Sequence, residues 1–178
     1  MARTLATMLA ALLLLAACGD GGSDSLIERR AGEPDVHLVR TEDPAMLAAF
    51  DEARRTLPAV MARLAELQAE GVYVSVKVPV ASGDKVEHIW LSDLRYEEDR
   101  VFGRLGNEPV DLPGWSLGDP IDMAADEISD WMLVRGDGRL VGGYTIFALR
   151  DKLSGDERRS FEAQVGLVMP ETPRSLDD

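Results

Sequence analysis

The sequence predicts an α+β fold: an N-terminal amphipathic helix packed on an antiparallel sheet of about 4–5 strands, with helices closing the C-terminal end. Apolar residues recur at Met46, Leu47, Phe50, Leu57, Val60, Met61, Leu64 and Leu67, a spacing that keeps one stripe on one helix face. Valine then occupies every second position of 72–80, the period of a strand with one buried face. Ser82-Gly83-Asp84 turns the chain straight into another apolar segment, so the two pair antiparallel by hairpin geometry.

Each element has a local reason. Asp43-Pro44 opens the helix, because the carboxylate caps free N–H groups and proline is tolerated at the first helical position. Pro58 falls inside the apolar stripe and should kink or split the helix near residues 54–57, and Gly71 ends it. Pro79 indicates that the first strand ends at an edge or has one N–H direction free. Further strands are expected at 86–94, 101–105, 121–123 and 128–134, with an ordered loop over most of 110–126. Gly136-Asp137-Gly138 is a tight turn, which accounts for the adhesion-like Arg135-Gly136-Asp137 without any adhesion role. Residues 144–153 read as a helix or as a strand leading into one. Ser154-Gly155-Asp156-Glu157 matches a capping box for a last helix reaching about Val165. Residues 44–168 thus form the domain, and 169–178, with Pro170, Pro173 and two terminal aspartates, are expected to be a disordered tail.

Composition narrows the function. The 178 residues, 46% hydrophobic and 29% charged, suffice for one ordinary domain with additional segments. A net charge of −13 argues against a nucleic-acid partner, because phosphate binding needs a basic footprint. One cysteine and two histidines are too few for a disulfide framework or a Cys/His zinc site, and nothing implies a metal or cofactor. Residues 84–130 hold 13 acidic and 4 basic side chains, which suits a solvated acidic face, a cation site or a face for a basic partner. They lack the oxygen-ligand spacing of a calcium loop.

The N-terminus carries an address. Met1-Ala2-Arg3-Thr4 is a short positive start, 5–15 is an apolar run broken only by Thr7, and Leu15-Ala16-Ala17-Cys18 follows. The run is shorter than the ~20 residues of a permanent membrane helix. This arrangement resembles the signal peptide and lipobox of bacterial lipoproteins, in which residues 1–17 are removed and Cys18 becomes the acylated N-terminus. Gly19-Asp20-Gly21-Gly22-Ser23-Asp24-Ser25 then starts a flexible tether over 18–43, with one short extended piece expected at 36–39. Loss of Arg3 takes the mature net charge to −14. The expected location is the cell envelope, lipid-anchored through Cys18 in the outer membrane and facing the periplasm, since Gly19 rather than aspartate follows the cysteine.

The segments Lys77-Val78-Pro79-Val80, Glu87-His88-Ile89-Trp90-Leu91, Phe102-Gly103-Arg104-Leu105, Asn107-Glu108-Pro109, Ile128-Ser129-Asp130-Trp131 and Gly142-Gly143-Tyr144-Thr145 occur in an order and spacing that resembles the YegJ-like family, DUF2314. The resemblance implies a bacterial domain, sometimes lipid-anchored, and no particular activity. A binding surface is expected at Glu87, His88, Trp90, Asn107, Glu108, Asp130 and Trp131. Strand alternation sends His88 and Trp90 one way and Glu87 the other. Asn107-Glu108-Pro109 reads as a fixed turn. Ser129 lacks the strand-to-helix elbow of a catalytic serine, and no nucleophile is evident. The main expectation is therefore a non-enzymatic envelope domain that binds a protein partner. The alternatives are a small metal-dependent or hydrolytic enzyme using His88, Glu87 and Asp130, and an immunity-type protein that neutralises a basic toxin.

Overall fold

The structure, a computed structural model, describes residues 43–177 together with the backbone of Leu14–Leu15, Ile27–Glu28 and Val36–His37. The expected leader, Cys18 and the tether otherwise lie outside the described residues. Within the piece expected at 36–39, Val36–His37 pairs antiparallel with Ile27–Glu28.

Helix α1 spans Pro44–Ala62, with the Asp43 carboxylate accepting from the amides of Ala45 and Met46. It runs unbroken through Pro58 instead of splitting at 54–57, and the break comes at Arg63, before α2 at Leu64–Ala69. Proline removes only one helix donor, and Leu57, Val60 and Met61 are buried on both sides of it, so packing holds the helix together. Gly71, with φ +76°, turns the chain into the sheet.

The strands are β1 (Tyr73–Ser82), β2 (Lys85–Glu97), β3 (Arg100–Leu105), β4 (Pro120–Ala124), β5 (Asp130–Val134) and β6 (Leu140–Gly142). They form an antiparallel sheet in the order β4-β3-β2-β1-β5-β6. The strand beyond the expected number is β6, whose three residues are too few to show a periodicity. The turn before it contains Arg135-Gly136-Asp137 and is closed by Gly138 N donating to Arg135 O at 2.8 Å. Pro79 lies in a central strand, but the β1–β5 pairing stops at Lys77 opposite Asp130, so the missing N–H faces no partner strand.

Both faces of the sheet are covered. One core joins Val74, Val76, Val78 and Val80 to Ala53, Leu57 and Val60 of α1, and a second joins Trp90 and Met132 to Met46, Phe50, Phe147 and Phe161. The last two helices are α3 (Tyr144–Arg150) and α4 (Gly155–Val165). Ser154 precedes α4 as expected, although its side chain makes no capping bond.

The C-terminal segment differs from the disordered tail expected at 169–178, because it is docked through 177. Leu176 is buried, Gly142 N donates to Arg174 O, and the buried Arg150 guanidinium donates to the carbonyls of Pro170 and Glu171. Proline-rich composition suggested disorder, but a buried arginine satisfying two distant carbonyls is a tertiary feature that composition does not report.

Candidate functional site

The polar centre of the domain lies where β1, β2, β5 and the start of α3 meet. Register places Lys77 between Trp90 on β2 and Asp130 on β5. Lys77 and Asp130 are both fully buried. The Lys77 ammonium donates to Thr145 Oγ1 at 2.9 Å, and the Thr145 hydroxyl donates to Asp130 Oδ2 at 2.6 Å. Asp130 also accepts the backbone amides of Trp131, Tyr144 and Thr145. It thereby caps α3, whose preceding residue, Gly143, has no side chain to do so. The Lys77 ammonium lies 4.7 Å from the centroid of the Trp90 ring, a cation–π contact in a desolvated setting. Burial pushes Lys77 down to about 8 against the pull of Asp130, and burial raises Asp130 against the pull of Lys77 and Thr145.

His88 extends this cluster. Its Nδ1 is 2.9 Å from Ser129 Oγ, and the Ser129 hydroxyl donates to Lys77 O. With that proton committed, Ser129 accepts from Nδ1–H, and the lone pair of the neutral ring is left on Nε2. The imidazole stacks on Phe50 with centroids 5.4 Å apart. Burial, reinforced by the charges of Lys77 and Arg54, pushes His88 down to about 4.

Of the seven residues expected to form a binding surface, only Glu108 is exposed. Glu87, His88, Trp90, Asn107, Asp130 and Trp131 are buried, so they present no outward side-chain surface. Glu87 points away from His88 and accepts the amides of Val110 and Asp111, fixing the loop after β3. The Asn107 side chain donates to Glu108 O, the turn role its position suggested. Trp131 Nε1 donates to Ala53 O and Thr56 Oγ1, binding β5 to α1. Glu87, His88 and Asp130 therefore do not converge on an open pocket as the hydrolytic reading requires. Among the described residues no group of three or more His, Cys, Asp or Glu side chains is placed to hold a metal. An open groove lies elsewhere, on the β3–β4 side near Arg95, Phe102, Arg104 and Asp122, and contains none of the expected site residues. Within the acidic block, Glu87 and Asp130 are interior and the other acids are exposed or partly exposed.

Lys77, Ser129 and Thr145 were not expected to be site residues. The available signal was Lys77 itself, a charge amid alternating valines, but recognising its burial required knowing that the second sheet face is covered as well.

The family model described as an uncharacterized protein conserved in bacteria, DUF2314, matches residues 43–169. The chain belongs to the DUF2314 family. The cluster of Lys77, Asp130 and Thr145 lies inside this DUF2314 domain, and the resemblance expected from the scattered segments is shown. The domain is similar to the uncharacterized protein YegJ of Escherichia coli strain K12, with 36% identity over 72 residues, covering 40% of this chain and 46% of that protein. It is also similar to a putative ankyrin repeat protein of Neisseria meningitidis serogroup B, with 29% identity over 144 residues, covering 76% of this chain and 56% of that protein. The chain spans about half the length of these curated relatives. No solved structure matches. Among the described residues of this DUF2314 protein, no helix is long and apolar enough to cross a membrane.

Proposed function

We propose that this DUF2314 protein is a lipid-anchored envelope domain that binds a protein partner and performs no chemistry of its own. The observation that carries the reading is the use made of the reactive side chains. Glu87 caps a loop, Asp130 caps α3, and His88 is a neutral ring bonded to Ser129 and stacked on Phe50. Catalysis needs such groups within reach of a substrate, whereas here they tie strands to a loop, to a neighbouring segment and to a helix start. Anchoring rests on the lone Cys18 behind Leu15-Ala16-Ala17 and ahead of a glycine- and serine-rich tether. Two or more acyl chains would hold the domain on a bilayer, and Gly19 favours the outer membrane facing the periplasm.

Affinity recovery from native envelopes, comparing wild type with Cys18→Ala, tests both parts. The expected result is a specific partner with the wild type and release of Cys18→Ala from the membrane fraction. A Cys18→Ala protein that stays in the membrane overturns the anchor, and small-molecule turnover by the purified protein with no recovered partner overturns the binding role.

A further inference from the structure

A sheet accepts an additional strand only where its backbone is unpaired, and the unpaired stretches of this sheet differ. The outer side of β6 is covered, with Leu140 N donating to Val168 O and Gly142 N to Arg174 O. The outer strand β4 carries Pro120 and Asp122, a proline and a charge that discourage pairing. The third stretch is internal. On one side β2 pairs with β1 from Lys85 to Leu91, but on the other side β3 reaches only from Glu97 back to Leu91. Residues 85–90 therefore have no strand of the folded domain beside them on that side.

The backbone there points outward. Gly106 N donates to Trp90 O from the β3 side, while Ser75 Oγ donates to Leu91 O from the β1 side. Antiparallel alternation then directs the N–H and C=O of Val86 and His88 to the open side. The stretch from Val86 to Trp90 has no proline, and the register shift of β2 lies further on, between Ser92 and Arg95. Beyond Gly106 the chain turns off, and Glu87 holds the amides of Val110 and Asp111. In the structure this position is taken by Leu14–Leu15, antiparallel, with Leu14 opposite His88 and Leu15 opposite Glu87.

We infer that the open side of β2 at Val86 and His88 is a strand-accepting notch that takes an extended apolar segment of a partner polypeptide. The inference rests on the protein-binding reading and deepens it. The processing proposed at Cys18 would remove Leu14–Leu15, and the described upstream strands Ile27–Glu28 and Val36–His37 are paired with each other, so on this reading a partner segment takes the place of the leader. Main-chain bonds provide the affinity of such strand addition, and the segment paired there is part of the apolar run 5–15 of the sequence.

The test uses the chain purified from membranes and a synthetic peptide of residues 12–16 flanked by lysines, beside a twin N-methylated at alternate residues. The peptide should slow amide exchange at Val86 and His88 at least tenfold, and the methylated twin should have no effect. His88→Pro removes an outward N–H without touching the β1 ladder and should weaken peptide binding tenfold or more. The methylated twin keeps the test valid whether or not that variant folds. Unchanged exchange, or equal protection by both peptides, overturns the notch. Equal recovery of envelope partners by wild type and His88→Pro also overturns it and leaves the protein-binding reading standing. Peptide protection without any recovered partner keeps the notch and defeats that reading.

Discussion

Lys77 is a fully buried ammonium whose only hydrogen-bond acceptor among the described side chains is the Thr145 hydroxyl, which passes the interaction on to Asp130. Such a pair contributes little over an apolar replacement, but removing one member leaves the other charged and unsolvated. Asp130→Ala should therefore cost ~3–5 kcal/mol in urea unfolding, and Lys77→Met combined with Asp130→Asn should recover most of it. His88 makes a separate prediction about pH. Its folded value of about 4 lies below the ordinary 6.5, so the unfolded chain takes up a proton first as the pH falls. Stability should be intact above pH 6.5 and decline down to about pH 4, where both states are protonated. The loss attributable to this ring is at most ~3 kcal/mol, and His88→Gln should flatten the curve through that window.

At the scale of elements, two junctions decide how the C-terminal third is held. Gly142 has φ +73°, and a Cβ built there would lie 2.5 Å from Trp131 O and 2.6 Å from the Trp131 ring. Gly142→Ala should therefore destabilise by ~2–4 kcal/mol in chemical denaturation, combining backbone strain with overpacking. Arg150 stacks on Phe147 and donates to Pro170 O and Glu171 O. Arg150→Ala should cost ~2–3 kcal/mol and speed proteolytic cleavage within 170–177, read by mass spectrometry. These junctions mark where the sequence stopped being legible. The valines of β1, the Asp43 cap and the turn at Gly138 are local signals of periodicity and turn chemistry. The docking of 170–177 and the continuity of α1 through Pro58 depend on distant partners, which no short window contains. Glu87, His88 and Asp130 were legible as unusual residues, but their roles were not, because strand alternation gives direction and says nothing of what covers each face.

Over the whole molecule, charge and anchoring act together. The proposed mature chain, with a net charge of −14, would be held by Cys18 beside a surface it does not itself attract, so Cys18→Ala should partition from the detergent phase to the aqueous phase in phase-separation assays. Local patterns were enough to indicate an α+β domain of the DUF2314 family, the helix opening at Asp43 and the valine strand, because capping and side-chain periodicity act over a few residues. Only the tertiary structure decided that both sheet faces are covered, that Lys77, Thr145 and Asp130 meet in the interior, and that β3 reaches back along β2 only as far as Leu91. Burial and strand pairing depend on residues far apart in the chain, and those contacts exist only once the sheet has assembled.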